Sequence, residues 1–159
     1  MDRHIFLVGM PGSGKSALGR RVAQKLQIPY LDTDVYLTEV TGMDTAQLYA
    51  AFGEKAFRDA ETRLLQRLIN ATPGIISTGG GVCLREENRR IMHDHGLIVL
   101  IDRPLADIMG DIKLDRRPLL AQKGLGEVER LYHERIGVYR ALAYATLDNS
   151  QGYYNGMYN

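Results

Sequence analysis

Gly9-Met10-Pro11-Gly12-Ser13-Gly14-Lys15-Ser16 has the G-x-x-x-x-G-K-[ST] spacing of a phosphate-binding P-loop. The apolar run Ile5-Phe6-Leu7-Val8 precedes it and reads as a buried strand. Ala17 to Leu26 follows, with Leu18, Val22 and Leu26 at a helical period. Strand, glycine loop and helix together are the context that separates this motif from a chance glycine-rich turn. Glycine at 9, 12 and 14 allows backbone angles closed to other residues, so the loop can turn its amide hydrogens inward around an anion. The positive end of the following helix adds to the same point. Lys15 carries a mobile charge to the outer phosphates, and the Ser16 hydroxyl is placed to ligate Mg²⁺.

The 159 residues read as one domain, 1–159, with room for a real core and with no internal repeat or linker. Twenty basic and 19 acidic side chains nearly cancel, and no basic tract stands out, which argues against a nucleic-acid partner. The longest apolar run, Leu97 to Ile101, is far too short to span a membrane. Met1-Asp2-Arg3-His4 leads straight into the first strand and leaves no room for a signal peptide. The single cysteine, Cys83, excludes an internal disulfide and a cysteine-based zinc cluster. An intracellular, soluble protein is the default, expected in the cytoplasm as a monomer.

Ile28 to Asp34 reads as a second strand opening at Pro29. If that strand runs on, Asp32 and Asp34 point the same way. In an open parallel sheet, ligands gather at the carboxyl ends of strands, where the P-loop also lies. One carboxylate is then placed to serve Mg²⁺ and the other to meet a substrate hydroxyl. The plainer alternative is a helix N-cap, since Val35-Tyr36-Leu37 follows. Thr45–Phe52 and Gly53–Asn70 read as helices, the second with an apolar stripe through Phe57, Leu64, Leu65 and Leu68. Arg58 and Glu61 lie three apart on it, and spacing alone favours a solvated surface pair.

Gly74–Thr78 reads as a third strand, followed by Gly79-Gly80-Gly81, where a ligand can approach bare backbone or the chain simply turns. Arg85–His95 reads as a helix and Leu97–Ile101 as a buried strand. Strands alternating with helices argue an α/β, doubly wound, mostly parallel sheet. From Gly110 to Gly126 the apolar period is lost among Lys113, Asp115, Arg116, Arg117 and Lys123, which reads either as a mobile lid or as a plain charged loop. Glu127–Tyr144 reads as a helix, with Gly137 inside it arguing against an unbroken run and Arg135 beside its apolar face as an anion clamp or a surface residue. Asp148 to Asn159 shows no helical period.

Taken together these signals resemble the shikimate kinase family, within the P-loop nucleoside monophosphate kinase-like superfamily, over about residues 4 to 148. The matching stretches are Gly9–Ser16, Leu31-Asp32-Thr33-Asp34, Phe52–Glu61 (the family's G-E-x-x-F-R-x-x-E), Ser77–Gly81, Arg116-Arg117-Pro118-Leu119-Leu120, and Arg135–Tyr139 with Ala143. The resemblance implies a three-layer P-loop fold: a mostly parallel five-stranded sheet flanked by helices, with substrate-binding helices at about 33–61 and a mobile lid at about 110–124. It implies that Gly12, Ser13, Gly14, Lys15, Ser16 and Ala17 hold the ATP phosphates, and that Ser16 serves Mg²⁺ with Asp32 acting through water. It implies that Asp34 meets the hydroxyls of shikimate, that Arg58, Gly80, Gly81 and Arg135 complete that site, and that Arg117 reaches the transferring phosphate. Lys15, Asp34 and Arg117 are then the catalytic set, and the products are shikimate 3-phosphate and ADP. Gly110 stands where many members carry a nucleotide-contacting arginine, and Gln151–Asn159 lacks the family's adenine-side loop and closing helix. Two other readings remain at this point. A related kinase, such as a gluconate kinase, would share the P-loop without the companion motifs. A non-catalytic nucleotide-binding module would not need Lys15, Ser16, Asp34 and Arg117 together.

Overall fold

The structure, a computed structural model, describes residues 2–114 and 118–150. Its strands are β1 (His4–Val8), β2 (Tyr30–Asp32), β3 (Ile75–Ser77), β4 (Gly96–Asp102) and β5 (Ala145–Asp148). They form one five-stranded sheet in the order β2-β3-β1-β4-β5, with every neighbouring pair parallel. The helices are α1 (Lys15–Leu26), α2 (Thr33–Thr41), α3 (Thr45–Leu68), α4 (Glu86–His95), α5 (Leu105–Leu114) and α6 (Pro118–Leu142), with a short 3₁₀ turn at Val82–Leu84.

β1 is central because it is apolar on both faces, as a strand covered by helices on two sides must be. Phe6 and Val8 enter a core with Leu65, Met92, Ile98, Leu100, Ile108 and Tyr139. Leu7 points the other way and packs with Ala23, Ile75 and Ile101. The register Leu7↔Ser77 and Leu7↔Val99 aligns the carboxyl ends of three strands, which places the loops after them side by side.

Several expected elements shift. The face of α1 that meets the sheet is Gly19 and Ala23, while Val22 and Leu26 are exposed. A Cβ at Gly19 would come within 2.7 Å of Leu7 Cδ1, so small residues let this helix approach the sheet closely. The two helices expected over 45–70 form α3, broken where Gly53 takes φ 86° and ψ 166°. Its start is set by a capping box between Asp44 and Gln47.

The region of lost period at 110–126 is helical on either side of residues 115–117: α5 runs to Leu114 and α6 begins at Pro118. Lid residues Asp115, Arg116 and Arg117 lie outside the described residues, as does the tail from Gln151. The helix expected from Glu127 therefore starts earlier, and it passes Gly126 and Gly137 unbroken. Nothing lies within 4 Å of a Cβ built at Gly137, whose backbone is helical and whose position is exposed. Gly137→Ala should therefore stabilise the fold by about 0.5–1 kcal/mol through helix propensity and a less flexible unfolded chain. A thermal or urea melt checks this; a loss of stability would show that α6 needs the glycine.

Candidate active site

The phosphate loop turns as its glycines require. Gly9, Gly12 and Gly14 have φ of 148°, 84° and 94°, values that side chains resist. Gly9 also has no room for a side chain, since a Cβ there would lie 2.6 Å from the Ile101 carbonyl oxygen. The Ser13 amide donates to the Met10 carbonyl at 3.0 Å and closes the turn. Pro11 to Ala17 then line a cavity of about 290 Å³ with Asp32, Asp34, Thr78 and Gly80. The Lys15 ammonium folds back on the loop and donates to the carbonyls of Gly9 at 2.8 Å and Met10 at 3.2 Å. Burial pushes Lys15 down to about 8, only partly offset by Asp34 and Asp32.

The second strand stops at Asp32, so Asp34 does not continue it; it sits in the first turn of α2. The N-cap alternative is thus what the structure shows for Asp32, and the same carboxylate also reaches the phosphate loop. Asp32 Oδ1 accepts from the amides of Asp34 at 3.0 Å and Val35 at 3.1 Å. Asp32 Oδ2 accepts from Ser16 Oγ at 2.6 Å. Asp34 is held above the usual carboxylate range by burial and by the charge of Asp32, against the pull of Lys15 and Arg58.

The loop after β3 presents its three glycines to three charged side chains. A Cβ at Gly79 would lie 2.5 Å from Asp34 Oδ1, one at Gly80 2.8 Å from Arg135 Nη1, and one at Gly81 2.2 Å from Arg58 Nη1. A side chain at any of the three would push the facing charged group aside, and this close approach, rather than flexibility, accounts for the triplet. The Gly79 amide donates to Thr33 Oγ1 at 2.9 Å, and the Tyr139 hydroxyl donates to the Gly80 carbonyl at 2.5 Å, so the glycine loop is fixed from both ends.

Arg58 and Glu61 are not the solvated pair that their spacing suggested. Arg58 Nη1 donates to Glu61 Oε1 at 2.6 Å, and Glu61 is 1% exposed. Burial raises the Glu61 carboxyl against the attraction of Arg58. Arg135, 8% exposed, is likewise no surface residue. Both arginines line a cavity of about 460 Å³ with Asp34, Tyr49, Phe57, Gly80 and Gly81. The Tyr49 and Phe57 rings meet at 4.8 Å with their planes tilted by 38°, and the Arg58 guanidinium lies over both, at 5.8 and 5.4 Å from their centroids. Pro11, Asp34 and Gly80 belong to the walls of both this cavity and the phosphate-loop cavity.

The structure thus brings together every expected site residue except Arg117, which is outside the described residues. Glu61 and Tyr139 join the site as supports; both stand inside motifs that the residue pattern marked, without any signal of their roles. Cys83 does not belong to the chemistry, because burial pushes its thiol up to about 12. A larger cavity of about 540 Å³ between α4 and α6, lined by Arg89, Arg90, His93 and Leu142, includes no part of the phosphate loop.

A P-loop at the edge of a parallel sheet, sharing a wall with a cavity that holds an acid and two arginines, defines a small-molecule phosphotransferase. The shikimate kinase family model matches residues 11–154, and the chain belongs to that family. The shikimate kinase of Clostridium beijerinckii is 38% identical over 151 residues, covering 95% of this chain and 88% of that one. A solved structure of shikimate kinase from Acinetobacter baumannii in complex with shikimate aligns with a TM-score of 0.85 at 29% identity, covering 98% of this chain and 87% of that one. A gluconokinase from Sinorhizobium meliloti 1021 aligns with a TM-score of 0.58 at 13% identity, over 99% of this chain and 88% of that one, a likeness of fold alone.

The Lys15 environment gives a pH-dependent expectation. With its ammonium near 8, about half of the free protein carries an uncharged Lys15 at pH 8. Bound phosphates favour the charged form, so binding of Mg·ADP at pH 8 should take up about half a proton. Calorimetry in buffers of different ionisation enthalpy measures this. Lys15→Arg, which cannot lose its proton in this range, should abolish the uptake, and equal uptake by both proteins would show that Lys15 is already charged before the nucleotide binds.

Proposed function

We propose that the protein transfers the γ-phosphoryl group of ATP to the 3-hydroxyl of shikimate, giving shikimate 3-phosphate and ADP. The observation that carries this reading is Asp34, in a wall common to the phosphate-loop cavity and the arginine-lined cavity. A hydroxyl at that carboxylate faces the loop, while a carboxylate at the other side of the same molecule meets Arg58 and Arg135. Shikimate carries both groups.

In this reading Lys15 exchanges the Gly9 and Met10 carbonyls for the outer phosphates. The amides of Gly12 to Ala17 and the start of α1 hold the remaining phosphate oxygens. Arg58 and Arg135 bind the substrate carboxylate, with charge-assisted bonds that fix the ring from its far side. Glu61 aims Arg58, and Tyr139 aims the backbone at Gly80 and Gly81. Asp34 orients the acceptor hydroxyl. As the hydroxyl oxygen bonds to the γ-phosphorus, the bond from that phosphorus to the bridging oxygen breaks, and the hydroxyl proton passes to Asp34. The raised affinity of Asp34 for a proton suits that step, although a loose transition state asks little of a base.

Ser16 Oγ and Asp32 are hard oxygen donors that fit Mg²⁺, a cation that takes its other ligands from phosphates and water. Among the described residues no cluster of three or more His, Cys, Asp or Glu could hold a metal by itself. When bound, Mg²⁺ would offset charge on the phosphate oxygens. Arg117 would add positive charge there, by resemblance to the family's lid motif. Among the described residues no helix is long and apolar enough to cross a membrane, and we keep a cytoplasmic monomer as part of the proposal.

Arg58→Ala should weaken shikimate binding by roughly 10- to 150-fold, the worth of about 1.5–3 kcal/mol for a charged hydrogen bond, while Mg·ADP binding stays nearly unchanged. Arg117→Ala should do the reverse of a binding mutant and lower kcat, by roughly 10³-fold, at unchanged shikimate affinity. Calorimetry with each ligand and steady-state kinetics check both. Equal losses for the two ligands in Arg58→Ala would return Arg58 to a purely structural role.

A further inference from the structure

The phosphate loop is held from behind by two side chains that no motif marks. Arg103 follows β4, and Asn149 follows β5. Arg103 Nη1 donates to the Gly12 carbonyl at 3.0 Å and to Asp111 Oδ2 on α5 at 2.6 Å. Asn149 Nδ2 donates to the Ser13 carbonyl at 2.9 Å, while its own amide donates to the Asp102 carbonyl at 2.7 Å. Arg103 is 4% exposed and Asn149 6%. The orientation of the Asn149 amide is not arbitrary, because a carbonyl can only accept and the group facing it must be the NH₂.

We propose that Arg103 and Asn149 are positioning residues for the nucleotide phosphates, a proposal that rests on the ATP-binding reading of the loop. The carbonyl of one residue and the amide of the next belong to one planar trans unit and point in opposite directions. Drawing the Ser13 carbonyl back onto Asn149 therefore turns the Gly14 amide forward, toward the cavity. Drawing the Gly12 carbonyl onto Arg103 sets the Ser13 amide, which closes the turn on Met10. Glycines at 12 and 14 leave these peptide units few steric restraints of their own, so bonds from outside must fix them. Arg103 does more than an uncharged donor could. A guanidinium buried behind the loop polarises the Gly12 peptide and adds positive charge near the anion, and Asp111 offsets the cost of burying it. Asp111 also lies on the helix that leads the chain toward Arg117, so the loop and the base of that helix share one cation.

The test is calorimetry of Mg·ADP and of shikimate, each alone, on wild type, Asn149→Leu, Arg103→Met and Arg103→Lys. Asn149→Leu keeps the volume and should weaken Mg·ADP about fivefold, and Arg103→Met roughly tenfold or more, with shikimate affinity held within about twofold. Arg103→Lys should recover part of the loss, because it keeps a charged donor. The backbone amide resonance of Gly14 in the free protein should shift in Asn149→Leu, a readout that stands even if Arg103→Met does not fold. Equal losses for both ligands, or unchanged Mg·ADP affinity with an unmoved Gly14 resonance, would overturn the proposal and leave these bonds as ties between strands. Wild type failing to bind Mg·ADP would overturn the ATP-binding reading with it.

Discussion

Asp32 joins the two halves of the site through a single carboxylate. One oxygen accepts from Ser16 in the first turn of α1, and the other accepts from the amides of Asp34 and Val35 at the start of α2. The first bond fixes the end of the phosphate loop. The second starts a helix and so decides where Asp34 stands. A cap of this kind is worth about 1 kcal/mol to a helix, but its larger effect is geometric. Asp34 is placed relative to the phosphate loop by three hydrogen bonds to one rigid group. A shorter β2, ending at Asp32, is what makes this possible.

The remaining side chains converge because the carboxyl ends of β1, β2 and β3 lie adjacent in a parallel sheet. Each contributes its following loop: phosphate cradle, capped acid, bare glycines. The three glycines then act as a mould. Asp34, Arg135 and Arg58 press against Gly79, Gly80 and Gly81 in turn, so any side chain there would displace a group of the site. Burial of Arg58 with Glu61 would be costly without a partner for each charge. The pair, the aromatic rings beneath it and the glycine opposite hold the guanidinium in one place at the wall of the cavity.

Much of this was legible in the residues. The P-loop could be read from spacing plus flanking pattern, because its chemistry lies in the backbone and needs particular residue types at particular positions. The acid pair and the triple glycine could be located but not assigned, since spacing does not say where a strand stops or what presses on a glycine. Arg58 and Glu61 show the limit most clearly. Three residues apart on a helix is the same pattern whether the pair is solvated or buried, and only the packing of α3 decides it. β5 leaves no apolar signature because all four of its residues are exposed at the sheet edge. The early start of α6 is hidden by glycines and charges over residues 113–126, before the stripe at Val128, Leu131 and Tyr132 that packs on the core. Arg103 and Asn149 act through carbonyl oxygens, which every residue has, so no motif marks their targets.

The proposed reaction rests on one placement: the 3-hydroxyl of shikimate at Asp34, between the arginines and the phosphate loop. The most direct measurement of it is ADP release with shikimate and with its 3-deoxy analogue, paired with the affinity of each. Loss of a single hydroxyl leaves the carboxylate for Arg58 and Arg135, so the analogue should still bind, weakened by no more than about 1–3 kcal/mol, and should support no ADP release above the rate without acceptor. ADP release with the 3-deoxy analogue at a rate near that with shikimate would contradict the placement, because the phosphoryl group would then be reaching another acceptor.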